Sequence, residues 1–148
     1  MNNENAWDPI LQTIEARFEA YLEQENRVNR AKIQDSRVHA LLYFIQPTGH
    51  ALRPIDLEFL SRLHKRVNII PVIAKSDTVS PDELPLFKQR ILRDLEFHGI
   101  EIVKLPIHED DDEESIAEMD EIQSKLPFAI VGSNELVKSV DGRAVRGR

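Results

Sequence analysis

Two short runs read as strands, Val38-His39-Ala40-Leu41-Leu42-Tyr43-Phe44-Ile45 and Ile69-Ile70-Pro71-Val72-Ile73-Ala74, and the first is apolar on both faces and rich in β-formers. A strand of that kind belongs in the middle of a parallel sheet, covered by helices on both sides. Pro71 lacks a ladder donor, which argues against a central position for the second run. Between the runs, Pro47-Thr48-Gly49-His50 reads as a loop, and Ile55, Phe59, Leu60 and Leu63 mark a short helix.

The remaining segments continue the alternation. Asp8-Pro9 supplies an N-cap and a proline at the first helical position. Ile10, Ile14, Phe18 and Tyr21-Leu22 then make one apolar stripe. Ser80-Pro81-Asp82-Glu83 opens a further helix as a capping box, with Ser80 at the N-cap and Glu83 at the third position. Its buried face is Leu84, Phe87, Ile91 and Leu95, and His98-Gly99 closes it. Ile100, Ile102 and Leu105 suggest a short strand, the acidic stretch Glu109 to Glu114 leads into a weaker helix ending near Leu126, and Pro127 to Val131 is another buried strand. Asp141-Gly142 between β-like runs is a hairpin signal. Strands alternating with helices imply right-handed crossovers and a doubly wound layer sandwich.

Composition narrows the function. The chain has 148 residues, with 26 Asp+Glu against 19 Lys+Arg and a formal net charge of −7. That acidic balance argues against a general nucleic-acid binder, which needs clustered positive charge. With no cysteine there is no disulfide framework, thiolate metal site or cysteine nucleophile. The longest apolar run, Ala40 to Ile45, is too short to span a bilayer, and the first twenty residues do not resemble a signal peptide. A cytoplasmic location is the expectation. The histidines His39, His64, His98 and His108 show no metal-ligand spacing, and Glu109 to Glu114 lacks the glycine and alternating ligands of a calcium loop.

Ligands of open α/β sheets bind at the carboxyl ends of the strands. Three loops leave those ends: Gln46 to His50, Lys75 to Thr78 and Gly132 to Asn134. In the middle loop the Asp77 carboxylate can accept two parallel hydrogen bonds from guanine N1–H and the exocyclic amine. Adenine offers an acceptor and no amine at those positions, and a site built on buried hydrogen bonds rejects such an analogue by roughly 10⁴-fold. Lys75 can lay its methylene stem on the base while its ammonium stays solvated. The plainer alternative is an exposed loop ion pair.

Ala74-Lys75-Ser76-Asp77 resembles the guanine-specificity motif of the small GTP-binding fold. Tyr43 through His50, Arg53-Pro54-Ile55-Asp56, Asn68 through Lys75, Ile130-Val131-Gly132-Ser133-Asn134 and Val145-Arg146-Gly147-Arg148 together resemble the septin GTPases, in the family's order and over nearly the whole chain. The likeness is greatest to the fungal core septins. It implies an α/β fold: a partial, P-loop-NTPase-like, doubly wound three-layer sandwich, with residues 1–148 forming the C-terminal part of a septin-type G domain. It also implies that Lys75 and Asp77 read guanine, that the Gly132 backbone points to its carbonyl oxygen, and that Arg148 stacks on the base. A dimer interface forms across the nucleotide in septins. By position His50 would reach the neighbour's phosphates, while Thr78 and Glu83 would sit around the ribose and the interface. His50 as an ordinary loop histidine and Glu83 as a simple capping residue are the competing readings.

The phosphate-handling segments of that family are not found among these residues. There is no G-x-x-x-x-G-K-[ST] run to wrap phosphates and place a magnesium ligand, and no D-x-x-G. The family implies GTP or GDP as cofactor, with Mg²⁺ in the full-length domain. It implies other septin subunits as partners in hetero-oligomeric filaments, possible membrane association of the full-length protein, and a place in the cytoskeleton at the septin ring or division site. This chain alone is expected to be inactive in GTP hydrolysis, to bind guanine weakly and to self-associate. Two other readings stay open: a portion of an actively hydrolysing GTPase switch, and an α/β assembly domain without nucleotide.

Overall fold

The computed structural model describes residues 5–27, 33–106, 111–133, 135–138 and 142–146. Helix α1 (Asp8–Glu25) is followed by β1 (Ala40–Ile45), α2 (Pro54–Leu63), β2 (Asn68–Ile73) and a 3₁₀ turn (Ser76–Thr78). Then come α3 (Glu83–Phe97), α4 (Glu113–Ser124), β3 (Phe128–Ala129), β4 (Leu136–Lys138) and β5 (Ala144–Arg146). The larger sheet has the order β1-β2-β3 with both pairs parallel, and β4 and β5 form a separate antiparallel hairpin. Gly142 in that hairpin takes φ +77°, and Asp141 lies outside the described residues.

Register fixes which face is buried. Leu41, Tyr43 and Ile45 stand opposite Ile69, Pro71 and Ile73. Ile45, Ile69 and Ile73 cluster with Ile14 of α1, Leu60 and Leu63 of α2, and Phe87, Ile91 and Leu95 of α3. Three helices thus serve one core on one side of the sheet. On the other side β1 leaves Leu42 and Phe44 57% and 55% exposed. The expectation that β1 is covered on both faces is therefore not met among the described residues. Helix α4 does not fill that place, because Gln123 engages residues 103 and 105, and Lys88 of α3 donates to the Lys125 carbonyl beyond its end at 2.8 Å.

Three local expectations are corrected. Pro71 sits in the central strand, buried opposite Tyr43, so the ladder runs through it with one donor fewer. Residues 100–105 form no strand. Val103 N–H bonds the Ile69 carbonyl once, and the Gln123 amide takes the Val103 carbonyl (3.1 Å) and the Leu105 N–H (3.2 Å) that a neighbouring strand would have taken. At α1 the N-cap is Trp7, and Asp8 is the first helical residue, where its carboxylate faces the positive end of the helix dipole.

The ends of α3 follow the sequence signals in part: the Ser80–Glu83 bonds and the Gly99 stop are present, but the N-cap is Asp82 and Glu83 is the first helical residue, rather than Ser80 and the third helical position. Ser80 Oγ accepts from Glu83 N–H at 3.2 Å, and Glu83 Oε2 accepts from both Ser80 N–H and Oγ–H, which closes the capping box ahead of α3. Gly99, at φ +64°, ends α3 with Ile100 N–H bonding the Leu95 carbonyl. Helix α1 is fastened to α2 and the turn after it by Arg66 Nε on Glu15 (2.7 Å) and by the Arg62 guanidinium lying 5.1 Å from the centre of the Trp7 ring.

Candidate functional site

The loop after β2 is held by its own backbone. Lys75 turns the chain in the left-handed region (φ 51°, ψ 46°), an uncommon conformation for a residue with a Cβ. Its carbonyl then accepts from Thr78 N–H (3.0 Å) and Thr78 Oγ1 (2.8 Å), closing the 3₁₀ turn that carries Asp77. Ser76 N–H donates to the Ile130 carbonyl at 3.1 Å, and Ile130 N–H donates to the Ile73 carbonyl at 3.0 Å. These bonds lock the Lys75–Thr78 loop to the chain segment that leads into Gly132. Lys75, Asp77 and Gly132 are all exposed, and the Lys75 and Asp77 side chains have no hydrogen-bond or ion-pair partner among the described residues. For the alternative of an exposed loop ion pair, neither side chain finds a partner among the described residues. A Cβ at Gly132 would meet nothing within 4 Å, so its neighbourhood is open.

The other three candidate residues meet elsewhere. His50, Thr78 and Glu83 line one open groove of about 370 Å³, together with Pro47, Gly49 and Arg90. One wall is the β1–α2 loop and the other is the β2–α3 loop with the first turns of α3. Thr78 therefore belongs to both the turn that carries Asp77 and the groove that holds His50. Glu83 is committed to its capping box and lines the groove at the same time, so its two readings are compatible. Arg148 and Asn134 lie outside the described residues. Among the described residues no cluster of three His, Asp or Glu side chains is arranged to hold a metal ion, and no helix is long and apolar enough to cross a membrane.

Two arrangements holding the β1–α2 loop have no counterpart in the sequence signals. Asp56, 3% exposed, accepts from Tyr43 Oη (2.7 Å), from Arg53 Nε (2.9 Å) and Nη2 (2.8 Å), and from Arg53 N–H (3.2 Å). Burial alone would raise its pKa, but the donated bonds from Arg53 and Tyr43 outweigh that and hold it below the usual carboxylate range. Tyr43 is pushed up, first by burial and then by its bond to Asp56. Arg53 Nη1 also reaches Gln46 Oε1 at 3.2 Å, so the network ties the two ends of the β1–α2 loop together. The second arrangement is the pair Arg90 and Asp94 on α3. Their partners are the Gly49 carbonyl and the Leu52 N–H, backbone atoms 41 and 42 residues earlier, which leave no local sequence signal.

A family model described as Septin matches residues 1–148. The chain is 49% identical over 148 residues to the septin homolog spn1 of Schizosaccharomyces pombe, covering 100% of this chain and 32% of that protein. It is 51% identical over 148 residues to cell division control protein 3 of Candida albicans, covering 100% of this chain and 35% of that one. Its structure resembles the crystal structure of Cdc11 from Saccharomyces cerevisiae with a TM-score of 0.73 at 37% identity, over 99% of this chain and 65% of that chain. The chain thus spans about a third of the length of the curated relatives it matches. Its parallel α/β sheet is consistent with a partial P-loop-NTPase-like fold of the septin type.

Proposed function

The chain belongs to the septin family, and from that premise we propose that it is the guanine-reading part of a septin cytoskeletal subunit. On this reading residues 1–148 are the C-terminal part of a septin-type G domain. The observation that carries it is the Lys75–Thr78 turn: a left-handed lysine, an exposed carboxylate without an internal partner, and a backbone link to the segment entering Gly132. Asp77 accepts from guanine N1–H and the exocyclic amine, Lys75 covers the base with its stem, the Gly132 backbone meets the guanine carbonyl oxygen, and Arg148 stacks on the base. The residues that would wrap phosphates and Mg²⁺ are not in this sequence, so hydrolysis is not assigned to this chain.

The groove with His50, Thr78 and Glu83 supports an assembly role beside the nucleotide. His50 is exposed there and free to reach toward a neighbouring subunit's phosphates. Partners of the whole protein on this reading are other septin subunits in filaments or rings. The name of the Candida albicans relative, cell division control protein 3, favours a place at the division site.

Calorimetric titration of the 148-residue chain with GDP, and with ADP as control, tests the reading. GDP is expected to bind in preference to ADP. Asp77→Ala should weaken GDP by ~10²-fold or more, since it removes two hydrogen bonds to a charged acceptor. Equal binding of the two nucleotides, or an unchanged Asp77→Ala, would overturn the guanine reading, and binding of neither nucleotide would favour an assembly domain without nucleotide.

A further inference from the structure

Helix α3 buries Phe87, Ile91 and Leu95, and Arg90 and Asp94 flank that stripe four residues apart. Opposite charges at this spacing commonly bond each other across a helix turn. Here each is directed to the backbone of the β1–α2 loop. Arg90 Nη1 donates to the Gly49 carbonyl at 2.7 Å, and Asp94 Oδ2 accepts from the Leu52 N–H at 3.1 Å. Both are charge-assisted hydrogen bonds, stronger than neutral ones. Leu52 is buried, so its N–H would be costly to leave without this acceptor.

The two anchored groups bracket His50. Gly49 precedes it, taking a left-handed φ of +73° that suits a residue without a Cβ, and Leu52 follows two residues later. The backbone through His50 is therefore fixed at both ends while its imidazole stays exposed. The helix that supplies both anchors begins at Glu83, joined by residues 79–82 and the Ser80–Glu83 bonds to the turn that carries Asp77. One rigid element bears the base-reading loop at its start and the two anchors of the His50 segment two and three turns along.

We propose that Arg90 and Asp94 are positioning residues that clamp residues 49–52 to α3, so that guanine nucleotide at the Lys75–Thr78 loop and the pose of His50 are coupled. The coupling rests on the nucleotide reading above; the clamp does not. Neither residue needs to touch the nucleotide. Each acts through the loop backbone, and the coupling passes along a helix whose buried stripe resists bending.

Hydrogen exchange on the full 148-residue chain, with and without GDP, separates these elements. Without nucleotide, Asp94→Ala should speed exchange of the Leu52 amide by ~10-fold or more, as expected for the loss of a charge-assisted bond. Arg90→Ala should speed exchange across residues 49–52, and Arg90→Lys, which keeps a donor, should restore most of the protection. Retained protection over residues 87–95 shows that each variant is folded. With GDP, the wild type should slow at both 75–78 and 49–52, whereas the Arg90→Ala/Asp94→Ala double variant should slow at 75–78 alone. Unchanged exchange at 49–52 in the single variants overturns the clamp. A GDP response at 49–52 that survives the double variant, or a wild type protected at 75–78 only, overturns the coupling. GDP protecting neither loop in the wild type sinks the nucleotide reading and the coupling together, and the nucleotide-free rates still decide the clamp.

Discussion

At the scale of single residues, Asp56 shows how a buried carboxylate stays charged. Its oxygens are filled by a phenol and a guanidinium as well as a backbone N–H, so ionisation is supported against burial. The sign of the pH dependence follows. A carboxyl held below its unfolded pKa contributes stability that is present above the ordinary carboxylate range and lost as pH falls through it. A phenol held above its unfolded pKa contributes stability that is complete below about pH 10 and lost as pH rises beyond. Urea unfolding across pH should therefore show Asp56→Asn flattening the acid limb and Tyr43→Phe flattening the alkaline limb. Near neutral pH, Tyr43→Phe should cost about 1 kcal/mol. The sequence contains Arg53 and Asp56 as neighbours three apart, but nothing in it announces a donor thirteen residues earlier on a strand. The Lys75–Thr78 turn was legible as a loop for the opposite reason, since a run of four residues between an apolar strand and a capped helix is marked locally.

At the scale of elements, what could be read in advance is what is closed by short-range bonds. The reciprocal Ser80–Glu83 bonds and the Gly99 stop are interactions among residues three to five apart, and both are present, although the N-cap of α3 falls at Asp82 rather than Ser80. Residues 100–105 were misread because an alternating apolar pattern looks the same whether its backbone pairs with a strand or with a side-chain amide. Gln123 supplies that amide from 18 and 20 residues away. Gln123→Ala should then leave a part-buried carbonyl and N–H unmatched and lower stability by about 1–3 kcal/mol in denaturant unfolding. Glu121→Ala, which removes only an exposed bridge to Lys125, should leave the midpoint nearly unmoved. Pro71 escaped its usual edge position because burial of β2 between two parallel neighbours outweighs one missing donor.

At the scale of the whole molecule, the sheet is lopsided. Among the described residues three helices cover one face, while Leu42 and Phe44 on the opposite face are more than half exposed, and β1 is an edge strand. Exposed apolar side chains on an open edge favour pairing with another chain. Sedimentation velocity of the 148-residue chain should show concentration-dependent association that Leu42→Lys/Phe44→Lys relieves, shifting the onset to ~10-fold higher concentration or more. That factor needs less free energy than burying one large apolar side chain provides. An unchanged sedimentation profile in the double variant would place the association elsewhere. The alternating order of elements made the architecture readable, whereas the bare face of β1 was not, because an apolar residue gives the same letter whether or not anything lies over it.

Trp7 is the only tryptophan; it sits at the start of α1 against Arg62 of α2 and does not line the groove between the β1–α2 loop and α3. Indole emission from this protein is accordingly an optical gauge of one joint, the seating of the first helix on the second. A far-ultraviolet dichroism signal that keeps its amplitude while the emission shifts marks an undocked α1 on an otherwise intact domain.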